Sequence, residues 1–230
     1  MNHLPIAPIL LPLLAGSVLL LSTRWPATAR HAFSLAAIVA QLAVALTLFA
    51  AVADGPILVY ALGGWAPPFG IVLVVDRLAA ALLVLTAIVA CASLLYAVAR
   101  DTETSTPRFH ALFQFQLLGI QGAFLTGDLF NLFVFFEVLL IASYALLLHG
   151  MTADRVRAAL HVVVLNLIGS ALVLLGVALI YGVTGTLNLA DLARAIPALT
   201  SADAPLARTG ALLLLVVFAL KSALLPLGFW

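Results

Sequence analysis

The chain has 230 residues, of which 65% are hydrophobic and 8% are charged, and its mean hydropathy is +1.26. A soluble domain of this size cannot enclose that much apolar surface, so the composition excludes a soluble protein and indicates an integral membrane protein. The formal net charge of +1 gives no indication of a nucleic-acid partner, and a single cysteine, Cys91, excludes an internal disulfide framework.

Seven apolar segments are long enough to cross a bilayer, which predicts an all-α, polytopic transmembrane helix bundle occupying residues 1–230 as a single domain. These segments cover residues 4–22, 31–53, 71–99, 110–127, 129–149, 158–184 and 207–229. The third is too long for one crossing. Its β-branched start, together with ILVY at 57–60 and the turn residues GGWAPP at 63–68, predicts a small hairpin outside the membrane. Residues 188–196 predict a short amphipathic helix on the outer surface, with Asn188 as its N-cap.

Arginines are concentrated in alternate loops, which predicts the orientation of the chain. Six lie in the first, third and fifth loops, namely Arg24, Arg30, Arg100, Arg108, Arg155 and Arg157. The other loops hold only Arg194 and Arg208. Because positively charged loops remain in the cytoplasm, the N-terminus is predicted to lie outside and the loops at 23–30, 100–109 and 150–157 inside. The expected location is the cell membrane.

One carboxylate lies near the middle of the fifth segment. Glu137 is roughly 13 Å along a helix from Asp128 and roughly 18 Å from His149, which places it close to the bilayer midplane. An ionised group there costs on the order of 2.5–3.5 kcal/mol by insertion scales. A second group that offsets this cost is therefore expected elsewhere in the chain.

The only lysine of the chain meets that requirement. Lys221 follows Arg208 by 13 residues, roughly 20 Å along a helix, and so comes within about 6 Å of the depth of Glu137. Two hypotheses remain open: a static ion pair that holds two helices together, or a titratable pair on an ion pathway, the usual meaning of charges inside a membrane. Pro226 follows Lys221 by five residues and predicts a broken seventh helix, because proline removes the hydrogen-bond partner of the Ser222 carbonyl.

Four other polar residues of the fifth and sixth segments are candidates for a secondary proton path. They are Ser143, Tyr144, His161 and Asn166. His161 could relay protons near neutral pH, and the others could line a polar seam, although all four are also compatible with ordinary packing. The sequence contains no metal-ligand cluster, no nucleophile–base pair and no phosphate- or dinucleotide-binding fingerprint, so neither a catalytic centre, a metal site nor a cofactor is predicted.

Three stretches resemble one membrane-protein family. TGDLFNLFVFFEVLLIASYALLLHG at 126–150, GIVLVVDRLAAALL at 70–83 and LKSALLPLGFW at 220–230 are similar to the fifth, third and seventh helices of the D subunit of the multi-subunit Mrp-type Na+(K+)/H+ antiporters. The family resembles in turn the proton-pumping, antiporter-like subunits of respiratory complex I. The resemblance implies a cation/proton antiporter subunit that exchanges protons for Na+ or K+, has other membrane subunits as partners, and uses Glu137 and Lys221 in its proton pathway.

The chain departs from this family in two respects. Gly228 stands where members usually carry a bulky or polar residue. The family has about fourteen helices, so the 230 residues are expected to be either the N-terminal portion of a longer subunit or a truncated gene product.

Two alternative functions remain. Antiporter-like subunits of complex I tend to carry tryptophan before the glutamate and a proline–methionine pair after it, where this chain has Phe136 and Ala142–Ser143, so the antiporter is favoured. A structural membrane subunit that conducts nothing is the second alternative. Such a scaffold is expected to tolerate removal of the Glu137 charge.

Overall fold

The computed structural model describes residues 3–22, 24–55, 57–100, 108–149 and 152–228. Most of the predicted cytoplasmic loop at 100–109 lies outside these ranges. The helices are α1 (Ala7–Leu21), α2 (Ala27–Ala53), α3 (Arg77–Ala99), α4 (Phe109–Leu125), α5 (Leu129–Leu147), α6 (Ala153–Thr184), α7 (Leu189–Ala195) and α8 (Ala204–Lys221). The strands are β1 (Leu58–Ala61) and β2 (Val72–Val75), which form a two-stranded sheet.

The helices confirm the predicted all-α, polytopic membrane fold. Within the described ranges, six helical segments are long and apolar enough to span a bilayer: residues 4–21, α2, α3, α5, α6 and α8. The remaining predicted span, the fourth at 110–127, corresponds to α4, which has 17 residues. The predicted hairpin is present as β1 and β2, and the predicted amphipathic helix is present as α7.

Side-chain hydrogen bonds cap the first turns of α3 and α7. The backbone N–H of Ala79 donates to Asp76 Oδ1 at 2.7 Å, so the carboxylate caps the first turn of α3. The adjacent Arg77 turns away and its Nε donates to the carbonyl of Val52 at 3.3 Å, near the end of α2. Asn188 caps α7 in the predicted way, accepting from the backbone N–H groups of Ala190 and Asp191 at 3.1 and 3.2 Å.

The chain divides into two compact units. Unit 1 contains residues 1–60, 73–125 and 135–155, and therefore holds α1 to α4 and most of α5. In unit 1, α1 packs against α2 and α4, and α3 packs against the same two helices. One of its apolar clusters joins α2, α3 and α4 through Ile38, Ala90, Leu94 and Leu117.

Unit 2 contains residues 61–72, 126–134 and 156–230. Its apolar cluster joins α6, α7 and α8 through Val173, Val177, Ile180, Leu192, Leu214 and Val217. The start of α5 is fastened to the segment before α7, since the N–H of Leu129 donates to the carbonyl of Leu187 and the N–H of Leu189 donates to that of Gly127, both at 2.9 Å.

The last spanning helix ends before the proline that predicted its break. α8 ends at Lys221, five residues ahead of Pro226. The intervening chain turns through Ala223, whose φ is +53°, and the N–H of Leu224 donates to the carbonyl of Ala219 at 2.9 Å. Proline disfavours helical geometry at the preceding residue and excludes the carbonyl four residues earlier, so the helix ends upstream of it. The break therefore begins directly after the lysine.

Candidate ion-handling site

Two glycines of α4 lie against α5 on either side of the position of Glu137. A Cβ on Gly119 would lie 2.6 Å from the backbone nitrogen of Leu139, and a Cβ on Gly122 would overlap the ring of Phe135. Any larger residue at either position would push the helices apart. The glycines thus allow the α5 backbone to approach α4 closely at the turn that carries the glutamate.

Glu137 lies on the side of α5 that faces away from this contact. Phe135 and Leu139 are four residues apart and occupy one face of the helix, whereas Glu137 is two residues from each and is rotated by about 160–200°. Its side chain is half-buried within the chain. The close α4 contact therefore directs the carboxylate away from α4.

The other two candidates on α5 differ in their relation to Glu137. Tyr144 follows Glu137 by seven residues, about two helical turns, and so lies on the same face. Ser143 follows by six residues and points to a different face. Both side chains are half-buried. In unit 1, Tyr144 is therefore the predicted secondary residue that shares the face of the glutamate.

Lys221 is the last residue of α8, and its side chain packs on α6. Its Nζ is buried, and its Cε lies 3.8 Å from the place that a Cβ on Gly169 would occupy. Asn166 and Ser170 lie on the same face of α6 as Gly169, and both are 7% exposed. The amine-bearing side chain thus approaches a face of α6 that carries two buried polar residues.

The remaining candidate, His161, lies apart from that face. It is exposed on α6 and is five residues before Asn166, so the two side chains point in different directions. Asn166 itself donates from Nδ2 to the carbonyl of Val162 in its own helix at 2.9 Å.

A second set of buried polar residues, all in unit 1, was not predicted from the sequence. Ser34 and Gln41 on α2, and His110, Gln114 and Gln121 on α4, are each at most 2% exposed. A signal was present in the sequence: Ser34 and Gln41 are seven residues apart, as are Gln114 and Gln121, which is two helical turns. The structure adds that the two polar stripes face each other.

Within the described residues, no group of three or more His, Cys, Asp or Glu side chains is arranged to hold a metal ion. The candidate residues Glu137, Lys221, Tyr144 and His161 carry a carboxylate, an amine, a phenol and an imidazole, which are groups that can bind and release protons.

Comparison with known proteins identifies similar sequences and folds. Residues 126–230 match a family described as NADH:quinone oxidoreductase/Mrp antiporter, transmembrane. The D subunit of a probable K(+)/H(+) antiporter from Rhizobium meliloti is 48% identical over 100% of this chain and 43% of the relative. The D subunit of a Na(+)/H(+) antiporter from Alkalihalophilus pseudofirmus is 45% identical over 100% of this chain and 46% of the relative.

A solved structure has the same fold. A chain in the Mrp complex from Dietzia sp. superimposes with a TM-score of 0.85 and 32% identity, covering 98% of this chain and 42% of that one. The chain thus spans less than half the length of the proteins to which it is similar.

Proposed function

We propose that the chain works as part of the D subunit of a monovalent cation/proton antiporter. Residues 126–230 match the NADH:quinone oxidoreductase/Mrp antiporter transmembrane family, and the whole chain is similar to antiporter D subunits. The observation that carries this proposal is the similarity over the entire chain to two proteins named as antiporter D subunits. A membrane subunit of this kind moves ions and forms no covalent intermediate, which agrees with the residue types at the candidate site.

In this proposal Glu137 binds and releases the transported proton. A carboxylate near the bilayer midplane is costly when ionised and much less so when protonated, so its charge responds to proton supply and to nearby positive charge. Because Glu137 lies on the face of α5 opposite to α4, its carboxylate faces groups that do not belong to α4.

Lys221 supplies the positive charge of the proposed pair. Its amine is buried at the end of α8, directly before the helix breaks. Broken helices at membrane depth occur where freed backbone groups meet water or other polar groups, so the break favours polar surroundings for the amine. Protonation of Glu137 would leave Lys221 to interact with the buried polar face of α6 on which its side chain packs, where Asn166 and Ser170 lie.

The proposed exchanged cation is Na+ or K+, because the two similar subunits are named for Na(+)/H(+) and K(+)/H(+) exchange. The proposed partners are the other subunits of a hetero-oligomeric complex in the cell membrane, as in the Mrp complex that contains the structural neighbour.

A proton-pumping subunit of a complex I type NADH-quinone oxidoreductase is the second candidate, since the matched family includes both groups. Phe136 and Ala142–Ser143 distinguish this chain from the pattern of those subunits and favour the antiporter. The third candidate, a structural subunit that conducts nothing, differs in one measurable property: its activity would not depend on the charge of Glu137.

Charge removal at Glu137 in the complete complex tests the proposal. Dissipation of a pH gradient on adding Na+ or K+ is measured in everted vesicles that contain the complex at wild-type abundance. Glu137→Gln keeps the shape but cannot release a proton, so antiport should be nearly abolished. Glu137→Asp keeps the carboxylate one methylene shorter and should retain partial activity.

The matched control is Asp154→Asn, which removes an exposed carboxylate from the first turn of α6. This variant should transport as the wild type does. Normal antiport by a well-assembled Glu137→Gln complex would contradict the proposal and favour the structural subunit.

A further inference from the structure

Three glutamines of unit 1 form a continuous line of hydrogen bonds between α2 and α4, here called the amide ladder. Gln121 Nε2 donates to Gln41 Oε1 at 2.5 Å, and Gln41 Nε2 donates to Gln114 Oε1 at 2.8 Å. Gln114 Nε2 then donates to the carbonyl and the hydroxyl oxygen of Ser34 at 3.3 and 3.4 Å. Every amide group donates in the same direction, towards Ser34.

The amide ladder is long and lies inside the protein. Its members are at most 2% exposed. Gln114 and Gln121 span seven residues of α4, or about 10 Å along the helix axis. Beyond Ser34 the polar stripe continues to His31 and His110, whose ring centroids are 5.1 Å apart. Because Gln41 and Gln114 each bind partners on both sides, a shift of α4 along α2 by one residue would break several hydrogen bonds together.

The amide ladder ends at Gln121, next to the close contact between α4 and α5 that lies near Glu137. Gln121 lies between Gly119 and Gly122, the two glycines of α4 that approach Leu139 and Phe135 of α5. One helical turn earlier on α4, the corresponding positions are occupied by Phe115 and Leu118. If α4 moved by one turn, these large side chains would replace the glycines against α5. A shift of α4 by one turn in that direction would therefore abolish the close contact.

We propose that Gln41, Gln114 and Gln121 are positioning residues for Glu137: the amide ladder fixes the register of α4 on α2, and α4 in turn fixes the depth and direction of the carboxylate on α5. This inference rests on the proposed function of Glu137 but names residues that do not touch the transported proton. The amide ladder acts on Glu137 indirectly: it fixes α4, and the glycines of α4 fix the position of α5.

A variant that removes the whole ladder without leaving unsatisfied polar groups gives the clearest test. Replacing both partners of a buried hydrogen bond by apolar groups of similar shape is often nearly neutral for stability, whereas replacing one partner leaves the other unsatisfied. The triple variant Gln41→Leu, Gln114→Leu, Gln121→Leu is therefore expected to assemble in the complete complex. Gln114→Met, nearly isosteric, is the second variant.

The primary readout is the rate at which a hydrophobic carbodiimide modifies Glu137, measured by mass spectrometry of the complete complex. This readout requires no transport. One interhelical side-chain hydrogen bond in a membrane is worth about 0.6 kcal/mol, or a factor of about three in an equilibrium. We expect the modification rate in both variants to change by at least about threefold, and the pH profile of antiport to shift with it.

The matched control is Gln116→Leu. Gln116 is also on α4, but it lines a groove between α3 and α4 and is not part of the ladder. It should leave the modification rate unchanged. Wild-type modification rates in the triple variant and in Gln114→Met would overturn the positioning inference. Wild-type antiport in Glu137→Gln would instead contradict the proposed function, so the two failures are distinguishable.

Discussion

At the scale of single residues, Lys221 combines a buried amine with a position at a helix end. Lysine carries a compact charge on a flexible stem and loses its proton readily when buried, whereas the arginine guanidinium remains protonated. The glycine opposite it on α6 leaves room for the stem of the side chain. Both properties suit the proposed role of Lys221, in which its charge changes during transport.

Substitutions of Lys221 test whether its proton is released. In the complete complex, Lys221→Ala should abolish antiport because it removes the charge. Lys221→Arg keeps the charge but does not readily deprotonate, so antiport should be impaired although assembly is retained. The measurement is cation-dependent dissipation of a pH gradient in vesicles at equal abundance of the complex. Wild-type rates for Lys221→Arg would show that the charge alone suffices and that deprotonation is not required.

The space beside Lys221 gives a second residue-scale prediction. A Cβ on Gly169 would lie 3.5, 3.6 and 3.8 Å from atoms of Val217, Leu220 and Lys221, which is ordinary van der Waals contact. Gly169→Ala should therefore retain antiport. Gly169→Leu adds three more carbon atoms in the same direction and should displace the lysine stem, reducing antiport severalfold.

The comparison of these two variants is informative only at equal abundance, which immunoblotting of the membranes checks. Equal antiport in Gly169→Leu and the wild type would mean that the Lys221 side chain does not depend on this contact.

At the scale of helices, α6 and α8 cross at two glycines. A Cβ on Gly210 would lie 2.7 Å from the carbonyl oxygen of Gly176 and 2.8 Å from a side-chain carbon of Ile180. Without a strong hydrophobic driving force between helices in lipid, close packing at small residues supplies much of the association energy. The crossing therefore holds α6 against the helix that ends at Lys221.

Alanine substitutions separate packing from helix propensity. Overpacking a tight contact costs about 1–3 kcal/mol, so Gly210→Ala should lower the midpoint of thermal unfolding of the purified complex. Gly182→Ala on α6 is the control, because a Cβ there meets nothing within 4 Å. Alanine is favoured over glycine in a helix by up to about 1 kcal/mol, so this control should be neutral or slightly stabilising. A midpoint for Gly210→Ala equal to that of the control would contradict the tight crossing.

At the scale of the whole molecule, loop charge predicts orientation in the membrane. The arginine-rich loops at 23–30, 100–109 and 150–157 should face the cytoplasm and the N-terminus should face outwards. This orientation would bring the α8 break, at the end of a helix that begins outside, towards the cytoplasmic half of the bilayer.

A single introduced cysteine tests the orientation. In a background without Cys91, Thr104→Cys places a thiol in the third loop, in a part of the chain outside the described residues. An impermeant maleimide applied to intact cells should leave it unmodified and should label it after the membrane is opened. A cysteine at Asp203, ahead of α8, is the control and should be labelled from outside. Labelling of the Thr104 site in intact cells, with the Asp203 site protected, would invert the topology.

The sequence by itself determined the features that depend on short stretches of chain. Helical spans follow from runs of apolar residues because the bilayer requires that length, and the hairpin and the α7 cap follow from local turn and capping chemistry. The sequence also singled out Glu137 and Lys221 as candidates, because an ionisable group inside an apolar span is conspicuous without any knowledge of its neighbours. The end of α8 was only partly predicted, because Pro226 indicates that the helix is interrupted but does not indicate the residue at which it ends.

Only the tertiary structure decided which residues meet across helices. Gln41 and Gln114 are 73 positions apart, and nothing in either local pattern indicates that their amides bind each other. Gly119 and Gly122 read as unremarkable glycines in a helix until α5 packs on them. The physical reason is that a spanning helix forms all its backbone hydrogen bonds within itself, so its local sequence is enough to indicate that it crosses the membrane. Its neighbours, its rotation and its register depend on side-chain contacts with distant segments.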